Sequence, residues 1–284
     1  MAIVRKAVAQ DFEETYPLFV KCHNSHLRKD DWRQLFVDHW ESHEGYFGYV
    51  LEDQERIVGF VGLIFSRRIL NGREEKFCNM TSWVVEEKFR NQSLSLFLPV
   101  MKLKKYTLTI HTASKETYAV ARKLGFQDLE EKLRIIFPLP SFATWFTPCQ
   151  IEINGEKFRK NLTGESLQAY MDHLLFKCFH VFVRSPLGEC YLIGARVIRK
   201  NLAFYQIHHI SNSKVFAKFS GHIATVVCAR IKTVSIVIDE RFLQGNRIKM
   251  SRAWSLPNPR VYKSDSVGQD NIDLLYSELP MLNI

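Results

Sequence analysis

The residues best placed to do chemistry lie in one run, Thr81-Ser-Trp-Val-Val-Glu-Glu-Lys-Phe-Arg90-Asn-Gln-Ser-Leu-Ser95. A β-branched and aromatic strand ending at Val85 enters a basic, hydroxyl-rich turn, Arg90, Asn91, Gln92, Ser93, Leu94 and Ser95, and then an apolar helix start. A helix that begins straight after a strand leaves backbone N–H groups unpaired at its positive end, and these can hold a pyrophosphate. Glu86 and Glu87 are the carboxylates nearest the turn; they could act through water as a general base, or simply be solvated loop. Two other polar clusters read as structural. His208 and His209 are adjacent on an expected strand, so one imidazole faces the core and the other faces out, and the pair cannot chelate from one face. His39 and His43 have the i, i+4 spacing of a helical zinc pair, but Glu41 is misplaced for metalloprotease chemistry and no third ligand is apparent, so no metal is expected.

Composition bounds the classes. With 284 residues, 46% hydrophobic and 24% charged, the chain can bury one large or two medium cores and has no disorder signature. The net charge of +9 favours an anionic partner such as CoA, nucleic acid or an acidic surface, although the basic residues are scattered rather than gathered. The six cysteines form no C-x-x-C pair and read as reduced, mostly buried thiols. With no apolar run of about 20 residues and no signal-peptide core, the expectation is a soluble, cytoplasmic protein.

The elements that must position the chemistry follow from periodicity. A strand at Ile3 to Lys6 precedes a helix from Asp11 to His23. A second helix from Asp30 or Asp31 brings Trp32, Leu35, Phe36 and Trp40 to one side. Strands Gly48 to Glu52 and Arg56 to Arg67 follow, and Asn71-Gly72 turns a hairpin into the strand ending at Val85. The helix after the basic turn, Leu94 to about Lys104, contains Pro99 and should kink or be cut short. Next come a strand ending near His111, a helix with Ser114 as N-cap and Gly125 as C-cap, and a strand from Leu129 to Pro140. The proline-rich segment Pro138 to Pro148 marks a boundary between domains 1–140 and 141–284. The second half repeats the succession: helix Leu162 to Phe176, a hairpin Val181 to Val197, strand Leu202 to Ile210, helix Lys214 to Arg230 and strand Thr233 to Ile238.

The turn beginning at Arg90 and the run Thr109-Ile-His111-Thr-Ala-Ser114-Lys-Glu-Thr-Tyr118-Ala-Val-Ala-Arg-Lys-Leu-Gly125-Phe126 together resemble the GNAT superfamily of acyl-CoA-dependent N-acyltransferases. The family's phosphate loop reads Arg/Gln-x-x-Gly-x-Gly/Ala; here Arg90 keeps the first position, and Ser93 and Ser95 replace the glycines. The resemblance implies an α+β fold of two GNAT-like domains, each a mixed, mostly antiparallel sheet flanked by helices, the second degenerate. It implies that Val85, Arg90, Asn91, Gln92, Ser93, Leu94, Ser95 and Ser114 hold an acyl-CoA, with no metal. Where many relatives carry a tyrosine that protonates the departing thiolate, this chain has Ala121, and Tyr118 lies about one turn earlier. His111 ends the strand that in the family splays from its neighbour to admit the thioester, which makes it a base or proton donor, or a capping histidine. The implied activity is transfer of an acyl group, most often acetyl, to an amine of a small molecule or sugar, with His111, Tyr118 and Glu86 as proton-transfer candidates. Two alternatives stay open: a transferase that takes its donor from a carrier such as tRNA, and a non-catalytic binding module, for which Ser93, Ser95 and Ala121 argue. In the second half Ser211-Asn-Ser213 occupies the place of the phosphate turn without glycine or arginine, so that half shapes the substrate site or supports the first.

Overall fold

The computed structural model describes residues 2–22, 27–70, 72–139, 147–155 and 159–284, with Cys22 described in its backbone only. The expected helix end at His23, Asn71 of the hairpin and residues 140–146 of the proline-rich segment lie outside the described residues. In chain order the first elements are β1 (Ile3–Lys6), α1 (Phe12–Cys22), α2 (Lys29–Arg33), β2 (Gly48–Asp53), β3 (Arg56–Leu70) and β4 (Arg73–Val85). Then come α3 (Ser93–Phe97), β5 (Thr107–Ile110), α4 (Lys115–Lys123), β6 (Gln127–Ile136), β7 (Gln150–Ile153) and α5 (Gly164–Asp172). The remainder is β8 (Cys178–Ser185), β9 (Gly188–Arg199), β10 (Leu202–Ile210), α6 (Ser213–Ile231), β11 (Ser235–Asp239), β12 (Ser251–Lys263) and α7 (Glu278–Leu282). No described helix is long and apolar enough to cross a membrane.

The chain divides into two compact units: Met1–Gln127 with Arg260–Gln269 and Tyr276–Leu282, and Asp128–Pro259 with Asp270–Leu275 and Asn283–Ile284. In the first, the strand order is β1-β2-β3-β4-β5, followed by the end of β12, whose Val261, Tyr262 and Lys263 pair antiparallel with β5. Only β4 and β5 among these neighbours run parallel. Parallel strands need a crossover, which the segment containing α3 supplies. β3 is apolar on both faces because both are covered. Ile57, Phe60 and Ile64 meet Phe12, Leu18, Phe19, Trp32, Leu35 and Phe36 from α1, α2 and the turn after α2. Val58, Val61, Leu63 and Phe65 meet Leu96, Phe97, Val100, Ala121 and Phe126 on the opposite face. Such two-sided burial replaces strand alternation by a continuous apolar run.

In the second unit the order is β6-β11-β10-β9-β8-β7, with β10 and β11 parallel and the other described pairs antiparallel. Here α6 makes the crossover, starting from Asn212, whose side chain accepts from the Val215 N–H at 3.1 Å. Both units thus contain an antiparallel three-strand meander, a crossover helix and a parallel strand, the succession expected from sequence. The fold is α+β, with mixed sheets flanked by helices, as expected.

Several element boundaries depart from the sequence reading. The second helix stops at Arg33, passes through a 3-10 turn, Gln34–Phe36, and ends with Val37 extended at φ −124°, so Trp40, His39 and His43 are not on a helix. Asp38 is the cause: its carboxylate accepts the Ser42 and His43 N–H groups at 2.9 Å each and the Ser42 hydroxyl at 3.0 Å, folding the chain back on itself. The helix expected to start at Leu94 is only Ser93–Phe97, followed after Pro99 by the 3-10 turn Val100–Lys102. Strands β7 and β12 and helix α7 were not expected at all.

Candidate active site

The first unit's chemistry-bearing segments converge where β4 and β5 part. The two strands pair at Phe77–Thr107, Cys78–Leu108 and Asn79–Thr109; β4 then continues to Val85, whereas β5 ends at Ile110. Along the open stretch β4 carries a bulge. Gly62 of β3 faces Thr81 and Phe60 faces Val84, so Val61 opposes both Ser82 and Trp83, and Ser82 takes the left-handed φ of 50°. A bulge leaves backbone unpaired and re-aims side chains, which is why bulges gather beside active sites. Gly62 makes this one possible: a Cβ there would sit 2.9 Å from Thr81 Cγ2 and 3.2 Å from Thr81 O. The parting leaves a narrow cleft of about 30 Å³ between Met80, Thr81, Ser82 and Trp83 on one side and Ile110, Thr112 and Thr117 on the other. That volume holds little more than a water.

The basic turn is built differently from the strand-to-helix junction expected of it. Between Val85 and α3 runs a 3-10 segment, Glu87–Gln92, and the Ser93 N–H donates to Arg90 O. The Ser95 hydroxyl donates to Gln92 O at 2.6 Å. Two groups expected to face a pyrophosphate therefore already have partners, leaving the Arg90 charge as the main polar handle; Arg90 and Asn91 are exposed. Arg90 lies close enough to Glu116, in the first turn of α4, to help hold its carboxyl below the usual range, behind the Glu116 amide and Ser114. The turn and the α4 N-terminus are thus brought together. Ser114 caps that helix, accepting the Thr117 N–H at 3.1 Å, and Gly125, at φ 84°, closes it, with Phe126 N–H donating to Ala121 O at 3.0 Å.

Of the proton-transfer candidates, His111 is buried just past β5, and its carbonyl accepts from Arg260 Nη1 at 3.3 Å. Tyr118 is half-buried on α4 at the edge of the core that fully encloses Ala121. Glu86 points elsewhere: both carboxylate oxygens are taken by Arg56, at 3.0 and 2.9 Å, and Lys21 lies at 3.5 Å. The Arg56 pair holds Glu86 below the ordinary carboxylate range, which makes it a weaker base than a free carboxylate.

A residue the sequence did not single out occupies the foot of the cleft. Glu278, on α7, is 1% exposed, and its Oε1 accepts the Thr112 hydroxyl at 2.6 Å. Its Oε2 accepts Asn79 Nδ2, and Asn79 Oδ1 accepts the Thr109 hydroxyl at 3.1 Å. Asn79 and Thr109 are the last paired residues before the strands part. Burial pushes the Glu278 carboxyl up, against the opposing bonds from Thr112 and Asn79 and the field of Arg260. A buried polar strand position such as Asn79 was the available sequence signal, since buried amides need partners.

A second cavity of about 260 Å³ lies in the same unit, where His39, Trp40, His43 and Tyr46 face Leu63 and Phe65 of β3. His39 Nε2 lies 3.1 Å from Gln34 O, and burial keeps its pKa below the ordinary value, so the ring is neutral near pH 7. Among the described residues no group of three metal-ligating side chains is gathered. In the second unit the bulge between Ile207 and His209 breaks the alternation expected of the histidine pair. His208 is fully buried, and His209 Nδ1 pairs with Asp273 Oδ2 at 2.9 Å. The structure thus places them as packed and hydrogen-bonded groups.

No protein-family model matches the sequence, and no curated protein does. Solved structures do share its architecture. A GCN5-related N-acetyltransferase from Kribbella flavida aligns at a TM-score of 0.59 and 12% identity, over 92% of this chain and 70% of that one. One from Anabaena variabilis aligns at 0.57 and 10%, over 92% and 72%. The GCN5-related glucosamine N-acetyltransferase region of a fungal multi-domain β-N-acetylglucosaminidase aligns at 0.61 and 12%, over 92% of this chain and 38% of that one. At these identities the likeness concerns architecture, and the chain has the GNAT fold, that of the GCN5-related N-acetyltransferases.

Proposed function

We propose that the first unit is an acyl-CoA-dependent N-acyltransferase that moves an acyl group, acetyl being the smallest common one, to an amine. The observation that supports this most is the parting of β4 and β5 beside a bulge at Ser82 and Trp83. An unpaired strand N–H there can polarise a thioester carbonyl while the amine attacks. The amine nitrogen bonds to the acyl carbon, the C–S bond breaks, and no covalent enzyme intermediate is needed. The protein's tasks are orientation and the handling of protons. On this reading Arg90, Asn91 and Gln92 face the pyrophosphate, Val85, Ser93, Leu94 and Ser95 line its approach, and Ser114 borders it from α4. His111 and Tyr118 flank the thioester, and the 260 Å³ cavity lined by Trp40 and Tyr46 receives the acceptor. The donor site would lie within the first unit, Met1–Gln127 with Arg260–Gln269 and Tyr276–Leu282.

Titration of the intact protein with acetyl-CoA in a calorimeter tests the reading, and no heat with any CoA ester refutes it. Arg90→Ala should weaken binding about 10- to 100-fold, since a charge-assisted bond contributes about 1.5–3 kcal/mol. Ser95→Ala should change it about twofold or less, because that hydroxyl is already spent on Gln92 O. Equal losses would mean that backbone geometry holds the phosphates. A second reading, a binding module without catalysis, is favoured by the pre-engaged Ser93 and Ser95 donors and by the narrowness of the cleft; tight CoA binding without thiol release would mark it.

A further inference from the structure

We propose that Glu278 is the proton store of the first unit, taking the proton that the attacking amine gives up, by way of the Thr112 hydroxyl, and returning it to the departing thiolate. The inference rests on the acyl-transfer reading above and adds a positioning residue to it. Thr112 is exposed and lines the cleft, whereas Glu278 behind it is 1% exposed. The Thr112 hydroxyl, 2.6 Å from Glu278 Oε1, therefore joins a group that can meet a substrate to one that cannot. When the nitrogen bonds to the acyl carbon, its proton passes to the Thr112 oxygen as the Thr112 hydrogen passes to Oε1. When the C–S bond breaks, its electron pair goes to sulfur and the reverse transfer delivers that proton, so Thr112 and Glu278 end each turnover unchanged.

The two carboxylate oxygens are not equivalent, and the difference gives the path its direction. Asn79 presents an amide NH₂ to Oε2, and its own oxygen is held by Thr109, so this side can only donate. A hydroxyl can both donate and accept. The proton is therefore stored on Oε1, facing the cleft. Burying a carboxylate is costly, and a neutral isostere could satisfy Thr112 and Asn79, so packing alone does not call for the charge. The charged and titratable groups around it are few. From β12 comes Arg260, buried and favouring the anion; after β5 stands His111, buried, its carbonyl bonded to Arg260. On α2, Lys29, Asp30 and Arg33 are exposed, and Asp31 lies 3.5 Å from Arg28. Burial outweighs the hydrogen bonds and Arg260 and lifts the carboxyl above its ordinary value, the direction in which a carboxylate becomes a better proton acceptor.

The test uses the intact protein and its Glu278→Gln, Thr112→Val and Thr112→Ser variants. Infrared difference spectra of wild type against Glu278→Gln, taken across a pH titration, should contain a titrating protonated-carboxyl band, and this arm needs no acceptor; its absence overturns the proposal. Thiol release from acetyl-CoA with a panel of primary amines, glucosamine and spermidine among them, should rise with pH with a midpoint at that of the band. Glu278→Gln should lose that limb and about a hundredfold in rate with acetyl-CoA affinity unchanged. An unaltered profile in a variant that binds acetyl-CoA normally overturns the store and leaves the acyltransferase reading standing. Should Glu278→Gln fail to fold, the threonine pair decides: Ser active and Val impaired supports the relay, and Val as active as Ser overturns it. Absence of acetyl-CoA binding in the wild type removes both readings together.

Discussion

The bulge that opens the cleft depends on one missing methyl group, and replacing it should be measurable. In Gly62→Ala the new Cβ would lie 2.9 Å from Thr81 Cγ2, 3.2 Å from Phe60 Cε1 and 3.2 Å from Thr81 O. Neither Thr81 atom is the far end of a flexible chain, since threonine is stiff at χ1 and its carbonyl belongs to the strand. Relief requires β4 to move by a few tenths of an ångström where Val61 already opposes two residues. Overpacking of this kind costs about 1–3 kcal/mol. The urea midpoint of wild type and variant, monitored by tryptophan fluorescence because Trp83 sits on the bulge, reads the loss. Thr81→Ser removes Cγ2 alone, so in the Gly62→Ala background it should recover about half the loss, although alone it should destabilise. A neutral Gly62→Ala, or a double mutant whose loss is the plain sum of the singles, would refute the close approach as the reason for glycine.

Asp38→Ala should destabilise the first unit by about 1–3 kcal/mol at pH 7, since it removes the acceptor of the part-buried Ser42 N–H and hydroxyl and of the His43 N–H. Burial raises the Asp38 carboxyl, but bonds from the Ser42, His43 and Trp40 amides and the Ser42 hydroxyl outweigh it and lower its pKa overall. Its contribution is therefore complete above the unfolded value of about 4 and fades as pH falls through the lower folded value, so unfolding curves of wild type and variant should converge in acid. Gly125→Ala forces a side chain into φ 84° at the end of α4 and should cost about 1–2 kcal/mol, with Gly125→Asn losing less, as thermal melts would record.

What could be read from the sequence was what neighbours in the sequence decide. Ser114 and Gly125 bracket α4 because cap bonds span three or four residues. The meanders were legible because β-branched runs alternate with turn residues such as Ser185 to Gly188. Strand β12 was not, because Pro257 and Pro259 lie within it and read as loop, while its pairing partner at Thr109 is over a hundred residues away. The second helix was overextended for a related reason. The 3.6-residue period of Trp32, Leu35 and Phe36 is real and all three are buried, but the Asp38 side chain ends the regularity before Trp40.

The two glutamates show why the site itself was the hardest part. Sequence adjacency to the basic turn favoured Glu86; yet the fold turns that side chain to Arg56, in a bidentate pair that holds it ionised. Glu278 has no local signature, in a five-residue helix Glu-Leu-Pro-Met-Leu, and meets Asn79 only because the chain returns after nearly two hundred residues. Burial then moves its carboxyl in the opposite direction from that of Glu86. Acid and base roles follow such divergence in environment rather than residue type. Pairing with an exposed arginine makes Glu86 a weaker proton acceptor than a free carboxylate, whereas burial beside an amide, a hydroxyl and the Arg260 guanidinium shifts Glu278 the other way. On the proposed reading, adjacency to the basic turn points to the cleft, and long-range burial selects the group that would serve it.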